Sequence, residues 1–227
     1  NEYGSLIYNR TTLSELQDIL LRKKIFRFAS KNESAVDQFE TAAKNLLNVK
    51  YALGLNNGTS ALKTALRAVE VRPGDRVLIS SYTFIATAAS VISFGAIPVP
   101  MDFDMVTGMN IPDLKRELEK GCRVIIPVHI QGYTFNLAPL LALAKQKKIS
   151  VIEDACQAFA ARYKDTFAGC FADIGVYSFQ QYKQVSSGEG GLLVTNNEAY
   201  FKKAKIYSDH GMVRESMSWD SEEAMIG

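Results

Sequence analysis

The chain alternates short apolar runs, bounded by turn residues, with longer stretches in which apolar positions recur at helical spacing. Thr11 to Phe28 places Leu13, Leu16, Ile19, Leu20 and Leu21 close to one helical face, with Ser14 and Glu15 in the first turn. A second helix is predicted after Ser34, where Asp37 stands at the position of a capping box and Val36, Phe39, Ala43, Leu46 and Leu47 fall together. Both read as packing elements. Tyr51 to Leu55 is then a strand that runs through Asn56-Asn57-Gly58-Thr59-Ser60 into an alanine-rich helix, Ala61 to Val69. The alternation continues with Arg76 to Ser80 as strand, a helix ending near Phe94, Ile97 to Met101 as strand, and Ile111 to Glu119 as a helix capped by Asn110. Val124 to Val128 reads as strand, Asn136 to Lys147 as helix and Ser150 to Glu153 as strand. Beyond an irregular stretch through Arg162 to Asp165, Ile174 to Phe179 and Leu192 to Thr195 read as strands and Ala199 to Tyr207 as a helix.

Strands built from nearly continuous Val and Ile runs, separated by helices, predict an α/β fold: a mainly parallel sheet covered on both faces. Ligand sites on such sheets lie beyond the carboxyl ends of the strands. That rule selects Asp154, at the end of Ser150-Val151-Ile152-Glu153. It either caps a following helix or holds a cationic ligand nitrogen, and Gln157 could point the same way. The turn at Gly58, Thr59 and Ser60 has two readings as well. The residues cap the helix, or they supply hydroxyl and N–H groups to a phosphate at its N-terminus. Lys183 lies between an apolar strand and the glycine-rich turn Ser186 to Gly191, where most lysines would be solvated surface charges but loops also carry chemistry.

Composition narrows the classes. The 227 residues are 47% hydrophobic, and 26 Lys plus Arg against 24 Asp plus Glu give a net charge of +2, so no nucleic-acid partner and no anionic membrane surface is expected. Cys122, Cys156 and Cys170 have no C-x-x-C spacing, which argues against a disulfide framework or a metal site and for a cytoplasmic setting. The most apolar window, Phe84 to Met101, is broken by Thr87, Ser90, Ser93, Gly95, Pro98 and Pro100 and reads as helix, turn and strand rather than a membrane span. No signal-peptide pattern is visible at the start, though the first residue is Asn1 rather than Met. His129 and His210 face substrate or serve the structure.

Four ordered motifs then carry a resemblance: Asn57-Gly58-Thr59-Ser60-Ala61-Leu62, Pro127-Val128-His129-Ile130-Gln131-Gly132, Val151-Ile152-Glu153-Asp154-Ala155-Cys156-Gln157-Ala158, and Ser178-Phe179-x-x-x-Lys183-x-x-x-x-Gly188-Glu189-Gly190-Gly191. Together they resemble the DegT/StrS-type sugar aminotransferases, pyridoxal 5′-phosphate enzymes of fold type I. The resemblance implies the three-layer α/β/α large domain of that fold over residues 31–211, preceded by an N-terminal helical segment (1–30). Residues 212–227 would begin a connection to an absent C-terminal small domain. It implies that Gly58, Thr59, Ser60 and Ser178 hold the cofactor phosphate, that Phe84 lies against the ring, that Asp154 pairs with the ring nitrogen, that Gln157 lies near the 3-hydroxyl, and that Lys183 carries the cofactor as a Schiff base. A lysine amine becomes a nucleophile and proton shuttle only where desolvation or nearby positive charge frees its lone pair.

The implied reaction moves an amino group from glutamate or glutamine to a keto-sugar or keto-cyclitol. A homodimer, or a complex with a chain supplying the missing domain, would complete the site. Two alternatives stand beside it. One is a split half-enzyme acting as a structural or regulatory partner; the other is a sugar dehydratase on the same scaffold, for which a residue such as His in place of Lys183 is expected. The chain departs from the family pattern at Phe159-Ala160, where His-Gly is common, and at Gln180, which resembles members acting on cyclitol ketones or making aminohydroxybenzoate.

Overall fold

The computed structural model describes residues 9–22, 27 and 34–212. Seven strands form the central sheet: β1 (Tyr51–Leu55), β2 (Arg76–Ser80), β3 (Ile97–Met101), β4 (Val124–Ile126), β5 (Ser150–Asp154), β8 (Ile174–Ser178) and β9 (Gly191–Thr195). A separate hairpin of β6 (Arg162–Tyr163) and β7 (Thr166–Phe167) occupies the stretch expected to be irregular. The sheet order is β1-β9-β8-β5-β4-β2-β3. Every pairing from β8 to β3 is parallel, and β9 runs antiparallel to both of its neighbours, β1 and β8. The expected mainly parallel sheet is therefore present, with one reversed strand.

The helices are α1 (Arg10–Leu21), α2 (Ala35–Leu47), α3 (Gly58–Ala68), α4 (Ala86–Ile92), α5 (Ile111–Glu119), α6 (Ala138–Lys147) and α7 (Glu198–Ser208). Alternation within the strands explains the layering. Val77, Ile79, Ile152, Ile174 and Val176 pack with Ala61, Leu62, Ala65 and Leu66 of α3, whereas Leu78, Ile125 and Val151 pack with Leu114 and Leu118 of α5 and Leu140 of α6. Because both faces are buried, the strands read as continuous apolar runs rather than alternating ones.

Some boundaries differ from expectation for identifiable reasons. Asn57 is the N-cap of α3, accepting from Ser60 N at 2.7 Å, so the helix starts at Gly58 and not at Ala61. Asn57 is thus the capping residue, and Thr59 and Ser60 belong to the first turn. β4 ends at Ile126, and beyond it only an isolated bridge joins Val128 to Asp154. The capping box at Ser34 and Asp37 is present in both directions, but of the expected α2 face only Ala43 and Leu47 are buried. α1 ends at Leu21 and buries none of its residues, so it is not the packing element expected. The remainder of that predicted helix, 23–26 and 28, and the segment 213–227 lie outside the described residues.

The departure at Phe159-Ala160 has a structural account. Phe159 packs edge-on against Tyr177 at 5.4 Å and Phe179 at 5.0 Å, which makes that turn apolar. Ala160 has φ +61°, a left-handed conformation that costs a Cβ-bearing residue about 1–2 kcal/mol. Ala160→Gly relieves that cost and gives back part of it through a more flexible unfolded chain, so a net gain of about 0.5–1 kcal/mol is expected in urea unfolding. An unchanged or lowered midpoint would contradict this.

Candidate active site

The sheet register brings the sequence motifs to one edge. Gly191 stands opposite Leu55 on one side and Ser178 on the other, so the end of β1, the end of β8 and the start of β9 meet. Asp154 ends β5 beside Val176 of β8. The turn after β1 can approach this closely only because position 58 has no side chain: a Cβ there would lie 2.9 Å from Cys156 Sγ and 2.9 Å from Ser178 Cβ.

At this edge lies a cavity of about 410 Å³, within the range of small-molecule sites. Gly58, Thr59, Phe84, Asp154, Gln157, Ser178 and Lys183 all line it; Ser60 alone of the expected set does not. Leu62 and Val128 add apolar wall, and Thr83, Thr87 and Cys156 line it as well.

Asp154 is 5% exposed. Its Oδ2 accepts from Thr87 Oγ1 at 2.7 Å and its Oδ1 from Cys156 N at 3.1 Å. No helix follows it, so the capping alternative falls. Its backbone is fixed as well: Asp154 N donates to Pro127 O and His129 N donates to Asp154 O, each at 2.9 Å. The Pro127-Val128-His129 motif therefore backs the carboxyl-bearing strand end. Gln157 Oε1 accepts from Gln131 N at 2.9 Å, Gln131 sitting at φ 53°, while Gln184 Nε2 donates to Gln157 O. Three of the motifs are joined at this one residue.

Lys183 is partly buried and forms no ion pair with another described residue, which leaves its ammonium group for a ligand. Cys156 stays a wall residue: burial first, then the neighbouring Asp154, push its thiol well above its ordinary range, so it supplies no thiolate at neutral pH. Burial likewise raises Cys122 and Cys170 to about 11. Among the described residues no cluster of His, Cys, Asp and Glu could hold a metal, and no helix is long and apolar enough to cross a membrane.

His129 serves the structure. It is fully buried, with Nε2 2.9 Å from Glu153 Oε2 and its ring stacked on Phe135. His210 is exposed and lines a different cleft with Arg67 and Tyr207. Sequence reasoning missed Thr83 and Thr87, because a threonine in a seven-residue helix carries no pattern that announces a partner 67 residues away.

A sequence model described as the DegT/DnrJ/EryC1/StrS aminotransferase family matches residues 15–227. The chain belongs to that family. Within it, the chain is 36% identical over 183 residues to a GDP-perosamine synthase of Caulobacter vibrioides, covering 80% of this chain and 49% of the relative. It is 37% identical over 174 residues to a UDP-N-acetyl-3-dehydro-alpha-D-glucosamine 3-aminotransferase of Acidithiobacillus ferrooxidans, covering 76% and 47%. An aminotransferase of Psychrobacter cryohalolentis superposes with a TM-score of 0.86 at 33% identity, over 93% of this chain and 53% of that one. A 3-amino-5-hydroxybenzoic acid synthase superposes with a TM-score of 0.87 at 26% identity, over 97% and 57%. This family member thus spans about half the length of the curated relatives it matches.

Proposed function

We propose that the chain is the cofactor-binding part of a pyridoxal 5′-phosphate-dependent aminotransferase that moves an amino group from glutamate or glutamine to a keto-sugar or keto-cyclitol. One observation carries the reading: Lys183 and Asp154 line the same cavity as the first turn of α3. When bound, pyridoxal phosphate supplies the electron sink that lets an amino group pass between two carbon skeletons.

The residues fit that group. Gly58 and Thr59 offer backbone N–H groups at a helix start, and Thr59 and Ser178 add hydroxyls, a combination suited to the phosphate. Asp154 opposes positive charge on the ring nitrogen and so keeps the proton there. Leu62, Phe84 and Val128 give the ring an apolar surround. Gln157, its oxygen committed to Gln131 N, has its amide N–H groups left for a ring substituent. Lys183 Nζ would hold the cofactor and, once freed, would carry the proton at the substrate carbon. A lysine at this position also favours amino transfer over dehydration.

Phe84, 63% exposed, lines the cavity from the loop after β2, and its neighbour Ile85 is 69% exposed. Exposed apolar side chains beside a site support completion by a second subunit, either another copy or a different chain. Native mass spectrometry of the active species tests this, and a fully active monomer would contradict it. The function itself is tested by incubation with pyridoxal phosphate, borohydride reduction and peptide mapping. The expected result is one stable adduct, on Lys183. No adduct at Lys183 would end the reading, and an adduct without amino transfer to any nucleotide-linked keto-sugar or to a keto-cyclitol would favour a half-enzyme awaiting its partner.

A further inference from the structure

We propose that Thr87 is a positioning residue for the Asp154 carboxylate, and that Thr83 orders it through a directional chain of two hydroxyls. The inference rests on the reading that Asp154 faces a cationic ring nitrogen. Thr87 is fully buried in the first turn of α4. Its hydroxyl reaches Asp154 Oδ2 at 2.7 Å and lies 2.7 Å from Thr83 Oγ1.

The direction of the chain follows from counting hydrogens. A carboxylate only accepts, so the single Thr87 hydrogen is committed to Asp154. The Thr87 oxygen is then an acceptor, and Thr83 donates to it in preference to its longer 3.3 Å alternative at Phe84 O. With Cys156 N on Oδ1, each Asp154 oxygen holds one protein donor. The carboxylate is thereby fixed in orientation while each oxygen keeps acceptor capacity toward the cavity it lines. Thr83 directly precedes Phe84, so the loop that carries the exposed aromatic and the carboxylate under the cavity are coupled through two hydrogen bonds.

The test compares dissociation constants for pyridoxal phosphate and for its 1-deaza analogue, whose ring carries carbon where the nitrogen would be. The wild-type chain should prefer the nitrogen-bearing ring. In Thr87→Val, which keeps the shape and removes the hydroxyl, that preference should narrow about tenfold, and Thr87→Ser should restore it to within about threefold. A merely structural threonine would weaken both ligands alike and leave their ratio unchanged, which would overturn the proposal. A wild-type chain with no preference would instead refute the Asp154 reading, and the proposal with it. Should Thr87→Val not fold by circular dichroism, Thr83→Val at the partly exposed loop position carries the test, with an expected narrowing of about threefold; an unchanged ratio there overturns the chain.

Discussion

Lys183→Ala is expected to abolish the borohydride-stable adduct while leaving the chain folded and able to bind pyridoxal phosphate without a covalent link. The reasoning separates attachment from affinity. On the proposed reading the phosphate end would rest on the first turn of α3 and on Ser178, and the ring on Asp154 and the apolar wall, none of which depends on the lysine. Lys183 is partly buried and has no ion-pair partner among the described residues, so its truncation strands no buried charge and should change stability by less than about 0.5 kcal/mol. If the proposed reading holds, amino transfer should fall by about 10³- to 10⁴-fold, since the proposed nucleophile and proton carrier at the substrate carbon would be lost together. Lys183→Arg should fail equally, because a guanidinium keeps the charge but is neither nucleophile nor base at neutral pH. The measurements are adduct mass after reduction, noncovalent affinity by fluorescence, and single-turnover transfer. An adduct that persists at the same site in the alanine variant would show that another residue carries the cofactor.

The sheet was legible in the sequence because its strands are buried on both faces, so Val77 to Ile79 or Val124 to Ile126 has no polar alternation to confuse with a helix. A place in the cavity wall was legible where a residue type has few reasons to stand, as with Asp154 at the end of an apolar strand. It was not legible where a common residue gains its meaning only from tertiary contact. Thr87 is one case, its partner lying in β5. Asn57 is another: the adjacent hydroxyl residues Thr59 and Ser60 are equally good caps by propensity, and the choice fell on the residue placed to receive Ser60 N. α1 failed differently, because helical periodicity predicts a face and not what covers it; Leu13, Leu16, Leu20 and Leu21 are all exposed.

The second large effect concerns folding rather than chemistry. Gly175→Ala is expected to lower stability by about 4 kcal/mol, or roughly 10 °C in melting temperature for a chain of this size. Gly175 is the second residue of β8, and a Cβ there would come within 2.6 Å of the Gly169 carbonyl carbon and closer still to its oxygen. That contact is backbone, so no side chain can rotate away. The segment it would displace is fastened on both sides: Tyr177 donates its hydroxyl to Ala168 O at 2.7 Å, and the buried Glu153 carboxyl accepts from Gly169 N at 2.8 Å and from Phe171 N and Ala172 N at 2.6 Å each. Moving it adds to the overpacking the loss of donors to a fully buried acidic group, left with His129 Nε2. Gly121→Ala is the control. It has φ +79° and nothing near a Cβ, so it isolates the backbone cost at about 1 kcal/mol. Gly175 has no such φ, which makes its effect steric alone, and a Gly175→Ala variant as stable as the control would mean that the 168–172 segment yields without stripping Glu153. Because Glu153 directly precedes Asp154 in β5, the same variant should also weaken pyridoxal phosphate binding, and it should do so in proportion to the stability lost rather than independently of it.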